Sequence, residues 1–179
     1  GDTLSVTGAT GMFADKNVGS GKGVAISSLS LAGADAGNYT FAPGSQASTA
    51  DITQLASVQW VGGATGNWFD PANWAGGAVP DLANVRDVII PAGSSVSFGA
   101  PAVAPAQFGP VSLASLSGAG SLILDDGALS IGSGGLALGG LDVTGGDLVS
   151  QGPATIGSYL QSGGIVNMMT DLTVPASFN

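Results

Sequence analysis

Residues 122–149 read LILDDGALSIGSGGLALGGLDVTGGDLV, in which short apolar pieces alternate with glycine and aspartate. Each piece has the period-2 alternation that is typical of a short β-strand. Several apolar positions recur about 19–20 residues apart: Leu122, Leu141 and Leu160; Leu129 and Leu148; Leu116, Leu136 and Ile156. A period near 20 with very short strands and glycine corners is typical of a solenoid. We therefore predict a right-handed parallel β-helix over residues 99–179, with about three strands in each turn.

A stack of antiparallel hairpins is the competing interpretation of the same segment. Two-residue hairpin turns favour Asn-Gly or Asp-Gly, because the central residues need a positive φ. Among the turns here only Asp126-Gly127 fits that requirement. The Pro- and Ala-rich residues 101–110, which precede the clearest repeats, are interpreted as a linker or an irregular first turn.

The composition favours an all-β protein. The chain has 179 residues, of which 31 are Gly, and it is 44% hydrophobic and only 8% charged. Few helix-forming residues are present, and the apolar content argues against disorder. The three bases and 12 acidic residues, all Asp, leave a net charge of −9. So few bases cannot form a phosphate-binding surface, and we therefore expect no nucleic-acid partner.

Several kinds of functional site are excluded by the residues present. The sequence has no His and no Cys, so it offers no imidazole base, thiolate nucleophile or disulfide. The glycine-rich residues 19–23 lack the spacing of a phosphate-binding loop. Asp125 and Asp126 are adjacent and would point to opposite faces of a strand, which suits acid–base catalysis poorly. We predict no catalytic residue, no cofactor-binding residue and no enzyme activity. No apolar run reaches the roughly 18 residues of a transmembrane segment.

Two further segments precede the repeats. Residues 1–55 read as separated short strands and turns, which predicts a small antiparallel β module of the sandwich or β-grasp type. Residues 56–98 contain Trp60, Trp68 and Trp74, spaced by glycine, asparagine, aspartate and proline. We interpret this second segment as an ordered junction or cap.

A family resemblance rests on three parts of the sequence. The strings at 13–22 (FADKNVGSGK) and 29–39 (LSLAGADAGNY) resemble the YDG module of filamentous-haemagglutinin-type bacterial exoproteins, over roughly residues 2–53. The chain is expected to begin inside that module, as a fragment. The Trp60–Trp74 stretch resembles the segment that precedes β-helical passengers in such proteins, and the remainder resembles their β-helix. The resemblance implies a cell-surface or secreted adhesin, exported by a two-partner or autotransporter route, and it implies no catalytic residues.

Two sets of residues are candidates for ligand binding. Oxygen-bearing side chains suggest calcium at Asn67, Asp70, Asn73, Asp142 and Asp147, although Asx side chains in loops more commonly hold their own turn. Trp60, Trp68 and Trp74 either stack on sugars or pack as a cap over the first turn of the solenoid.

The leading hypothesis is a structural or adhesive segment of an exported bacterial surface protein, acting in adhesion, biofilm or cell contact. Its partners would be a host or neighbouring cell surface, an extracellular glycan, or further copies of itself. One alternative is a self-assembling extracellular fibre subunit that exchanges strands. The other is a carbohydrate-binding module that uses the tryptophan-rich segment.

Overall fold

The computed structural model describes residues 1–27, 29–40, 47–81, 83–99 and 110–175. Within these ranges the regular structure consists of strands and three short 3₁₀ helices, at Ala36–Asn38, Pro71–Asn73 and Ala75–Gly77. The predicted all-β class is therefore confirmed. The chain divides into two compact units, Gly1–Thr53 and Gln54–Asn179. Most of the predicted linker at 101–110 lies outside the described residues.

The first unit contains two antiparallel sheets, which confirms the predicted antiparallel module. Its strands are β1 (Ser5–Thr7), β2 (Thr10–Phe13), β3 (Gly19–Ser27), β4 (Ser30–Ala32) and β5 (Ala47–Ile52). Strand β1 pairs with β4, and β3 lies between β2 and β5. None of the side chains described in this unit is fully buried, and Val6 and Met12 are largely exposed.

The second unit is built from parallel strand pairs. Its strands are β6 (Leu55–Gln59), β7 (Thr65–Asn67), β8 (Val85–Ile89), β9 (Ser95–Phe98), β10 (Val111–Leu124), β11 (Ala128–Val143), β12 (Asp147–Ser150), β13 (Ala154–Gln161), β14 (Ile165–Met168) and β15 (Leu172–Thr173). All of their pairings are parallel, and the one antiparallel contact is an isolated bridge between Trp60 and Trp74.

These strands stack into three columns. Column A runs through β6, β8, the middle of β10, the middle of β11, the first half of β13, and β15. Column B runs through β7, β9 and the last parts of β10, β11 and β13. Column C runs through the first parts of β10 and β11, then β12 and β14. The chain visits A, B and C in turn, so the predicted β-helix with three strands per turn is confirmed. The columns begin at β6, inside the tryptophan-rich segment.

The register between turns differs in part from the sequence prediction. Leu122 pairs with Leu141, as predicted, 141 − 122 = 19 residues later. Leu141 then pairs with Tyr159, 159 − 141 = 18 residues later. The interval shrinks because register shifts interrupt the pairing of β10 with β11, whereas β11 and β13 pair with one constant offset. Two predicted sets are therefore wrong at their last members: Leu160 lies beside Asp142, and Ile156 beside Leu138.

The core of the second unit consists of side-chain ladders inside the stack. Parallel register places equivalent positions of successive turns directly above one another, so inward-facing apolar side chains meet in lines. The longest ladder in column A is Val58, Val88, Leu116, Leu136 and Ala154, each no more than 4% exposed. Burying each large aliphatic side chain stabilises the stack by about 1.5–3 kcal/mol.

A close approach between turns requires glycine at position 118. Its φ is +123°, and a Cβ atom built there would lie 2.0 Å from the carbonyl oxygen of Ile90. Only a residue without a side chain allows the two turns to meet at this distance. Among the described residues, the structure has no helix of the length and apolarity that a membrane span requires.

Candidate functional site

The three tryptophans form one cluster on the first turn of the β-helix. Trp60 follows β6 and Trp68 follows β7, while Trp74 lies between the second and third 3₁₀ helices. The ring centroids of Trp68 and Trp74 are 4.9 Å apart, and those of Trp60 and Trp74 are 5.2 Å apart, both in edge-to-face geometry. The loop that carries Trp68 and Trp74 occupies the place of a column C strand between β7 and β8.

Each buried indole N–H of the cluster donates to a backbone carbonyl oxygen. Trp60 Nε1 donates to Gly63 at 2.9 Å, and Trp74 Nε1 donates to Trp68 at 2.5 Å. Trp68 Nε1 donates to Pro80 at 2.7 Å. The rings are therefore satisfied in their polar atoms as well as packed in their apolar ones, as a structural cluster requires.

The cluster reaches the second turn through phenylalanine residues that the sequence analysis did not single out. The ring of Phe98, at the end of β9, lies 5.1 Å from Trp68 and 5.2 Å from Phe69. Trp68 N also donates to the carbonyl oxygen of Ser97 at 2.8 Å, which places Trp68 in line with Phe98. The only sequence signal for Phe98 was its place at the end of an alternating strand.

Burial decides between the two interpretations of the tryptophans. Trp60, Trp68 and Trp74 are 1%, 0% and 2% exposed. A sugar stacks on an open ring face, and none of the three rings presents one in this structure. The platform interpretation does not fit this burial, because the apolar interior of the stack takes all three rings.

The calcium candidates in the same loop use their side chains to hold the backbone. Asn67 Oδ1 accepts from Phe69 N at 2.8 Å, and Asp70 Oδ1 accepts from Ala72 N at 2.9 Å. Asn73 Nδ2 donates to the carbonyl oxygen of Asn67 at 2.9 Å. These are Asx-turn contacts, which order the loop without a metal. Across the described ranges, no three acidic, His or Cys side chains come together as a metal-binding group.

The other two calcium candidates lie in the repeats, on separate columns. Asp142 lies on column B and Asp147 begins β12 in column C. Asp147 is exposed, whereas Asp142 is only partly exposed. The Oδ1 atom of Asp142 is buried and has no hydrogen-bond partner among the described residues.

Asp142 lines a groove on the outside of column B. The groove has a volume of about 320 Å³ and is also lined by Ser121, Gly140, Ser158 and Leu160. Alternation along β11 turns Leu141 and Val143 inward, which leaves the Asp142 side chain on the outer face.

The two motifs that resembled catalytic sites have structural roles. Residues 19–23 lie in the antiparallel strand β3. Asp125 Oδ2 accepts from Ser97 Oγ at 3.2 Å, and Asp126 Oδ1 accepts from Gly127 N at 2.7 Å, so both carboxylates hold a corner.

Three side chains have displaced pKa values. The hydrogen bond from Lys22 lowers the pKa of Asp15, and a backbone hydrogen bond from Asn17 lowers it further. A hydrogen bond to Asp2 raises the pKa of Tyr39. Burial raises the pKa of Tyr159, which lines the groove. None of these groups pairs an acid with a base in the way that general acid–base chemistry needs.

Comparison with known proteins bears on the first unit. Residues 1–50 match the family model described as the YDG domain. The protein contains a YDG domain. The resemblance predicted for roughly residues 2–53 is therefore confirmed at the level of the domain, which covers both antiparallel sheets of the first unit. Searches of curated proteins and of solved structures found no match to the chain.

Proposed function

We propose that this YDG-containing chain is a structural and adhesive segment of an exported bacterial cell-surface protein. The observation that carries the proposal is the continuity of the stack in the second unit. Column A contains six strands in succession, joined by parallel pairing from β6 to β15. At roughly 4.8 Å per turn, five intervals make a stack about 24 Å long.

A stack of this kind suits a mechanical role. Each turn contacts only its neighbours, so the unit gains length by repetition and transmits tension along its backbone ladders. Outside the stack, the described side chains include many small and polar groups, with no cluster of catalytic type. The net charge of −9 supports solubility at a crowded surface.

The YDG domain supports the extracellular assignment through the resemblance of its strings to modules of bacterial exoproteins. The absence of Cys from the sequence is compatible with export, because a protein without thiols forms no wrong disulfides in an oxidising compartment. Adhesion would arise from several weak contacts acting together, as multivalent binding does.

A bead-retention assay tests the adhesive role. Beads that carry the full chain are settled on bacterial cells, epithelial cells and glycan-coated glass, and the fraction retained under flow is measured. Beads that carry an unrelated acidic protein of matched net charge are the control. We expect retention above the control on at least one surface, and equal retention on all three would refute the adhesive role.

Self-assembly into fibres is a second candidate function, favoured by the last turn of the stack. Within the described residues, β14 pairs only with β12 and β15 only with β13, so both strands present an unpaired edge. Ile165 and Met169 beside these edges are mostly exposed. Unpaired, apolar edges are templates for pairing with another chain. Light scattering and negative-stain microscopy across a concentration series distinguish fibres from a monomer.

A further inference from the structure

The groove on column B has a polar side built from successive turns. Ser95 pairs with Ser121, Ser121 with Gly140, and Gly140 with Ser158, so a line of hydroxyls runs along the stack with one gap. A Cβ atom at position 140 would lie 2.6 Å from Ser121 Oγ and 3.0 Å from Ser158 Oγ. Glycine at this position therefore leaves a notch between two hydroxyls.

The neighbouring line of the groove has an unusual order of side chains. Asp142 pairs with Ile123 in the turn before and with Leu160 in the turn after. A single carboxylate therefore lies between two aliphatic side chains. Leu160 is 61% exposed, so its side chain can move to admit a ligand.

The two oxygens of this carboxylate have different surroundings. Oδ1 is buried and unpartnered among the described residues, while Asp142 as a whole is partly exposed and lines the groove. A carboxylate with one oxygen cut off from water attracts a cation more strongly than a fully hydrated carboxylate does. Such a group is costly to keep, since a buried polar atom without a partner destabilises the fold.

The charge of the second unit favours a cationic ligand. Residues 54–179 contain eight Asp and one base, Arg86, which gives 1 − 8 = −7. Arg86 lies 3.9 Å from Asp87, and Asp142 has no ion pair within the described part of the chain. A cation that approaches the groove is therefore attracted by the whole unit as well as by Asp142.

We propose that this groove binds a primary ammonium group carried on an aliphatic stem, as on the lysine side chain of a partner polypeptide. The ammonium donates to Asp142 and to the hydroxyls of Ser121 and Ser158, and its methylene stem packs on Ile123 and Leu160. The site does not depend on the adhesive function, since it concerns one side chain of a partner.

Two other cations fit the groove less well. A guanidinium group binds carboxylates through a two-pronged contact, which the buried Oδ1 of Asp142 prevents. Calcium takes six to eight oxygen ligands, whereas the groove offers one carboxylate and a few hydroxyls. An ammonium group needs three acceptors at most, and the groove supplies that number.

The test is a titration of the full ¹⁵N-labelled chain, of 17.2 kDa, followed by NMR. The probe is Nα-acetyl-lysine N-methylamide, and the norleucine analogue keeps the stem without the charge. We expect saturable shifts of the amides of Gly140, Asp142 and Ser158 with the lysine probe and none with norleucine. D142N keeps the side-chain shape and removes its charge, so it should weaken binding about tenfold or more.

A matched variant separates local from general electrostatics. Asp171 is exposed and lies outside the groove, so D171N changes the net charge equally and should leave binding unchanged. Circular dichroism and the melting temperature show that both variants are folded. Equal binding by D142N and the parent, or equal binding of the norleucine analogue, would overturn the proposal. So would groove shifts caused by calcium alone or by a methyl glucoside but not by the lysine probe.

Discussion

Replacing Trp68 by alanine tests whether the tryptophan cluster is part of the core. The Trp68 ring is fully buried, packs edge-to-face on Trp74 and Phe98, and donates to the carbonyl oxygen of Pro80 at 2.7 Å. Alanine removes the ring contacts and the hydrogen bond together, and it leaves a cavity between the first and second turns.

The expected magnitude follows from these contacts. Truncating a buried aromatic side chain to alanine costs about 3–5 kcal/mol. Losing the indole hydrogen bond adds about 1 kcal/mol, because the Pro80 oxygen is left without its donor. Trp68→Ala should therefore lower the free energy of unfolding by about 4–6 kcal/mol, a large part of the roughly 5–15 kcal/mol that stabilises an ordinary domain.

Urea unfolding of the full chain, followed by far-ultraviolet circular dichroism, measures this effect. Met169→Ala is the control, because Met169 is 68% exposed and its truncation should cost less than about 0.5 kcal/mol. Trp68→Phe keeps a ring but not the N–H, so it should fall between the two. A loss below about 1 kcal/mol for Trp68→Ala would refute the core role and restore a surface role for this ring.

Three other predictions concern backbone, charge and metal. Gly118→Ala should cost about 3 kcal/mol or more in urea unfolding, since it combines a positive φ with a clash against a carbonyl oxygen, whereas Gly93→Ala at φ +80° meets open space and should cost about 1 kcal/mol; equal costs would contradict the close approach. The hydrogen bond from Lys22 lowers the pKa of Asp15, so the stability it contributes is present above the ordinary aspartate pKa of about 3.9 and is lost as the pH falls through the lowered value. Lys22→Met should return the pKa of Asp15 toward its ordinary value in an NMR titration of the carboxyl carbon, and an unchanged titration would show that Lys22 is not the cause. Because the Asp70 carboxylate already holds its own turn, about 2 mM calcium should leave the melting temperature within about 1 °C of its value in EDTA; a larger rise that Asp70→Ala abolishes would restore the calcium hypothesis.

The local pattern of the sequence was sufficient to predict the class of fold. Alternation of apolar and small residues depends only on the pleat of a strand, so it identified the strand pieces within residues 122–149 without any knowledge of their neighbours. Their spacing of about 19–20 residues then predicted the three-strand turn. The YDG strings likewise form a continuous stretch of sequence, and the domain match covers the same residues.

The roles of the candidate residues depended on contacts between turns. Trp68 looks the same in sequence whether it faces a sugar or Phe98, and only the register of β7 on β9 places the two rings together. Asp142 was one of five oxygen-bearing candidates until the pairing placed it between Ile123 and Leu160 with one oxygen buried.

By itself, the sequence determined the all-β class, the parallel repeat and the identity of the first module, because these follow from alternation, spacing and contiguous strings. The tertiary structure alone decided which residues of successive turns meet. A register shift between β10 and β11 changes the interval from 19 to 18 residues, and that single residue places Tyr159 under Leu141 and Leu160 beside Asp142. Side-chain direction is set by the local backbone, whereas the neighbour across a turn is set by the length of every corner between them.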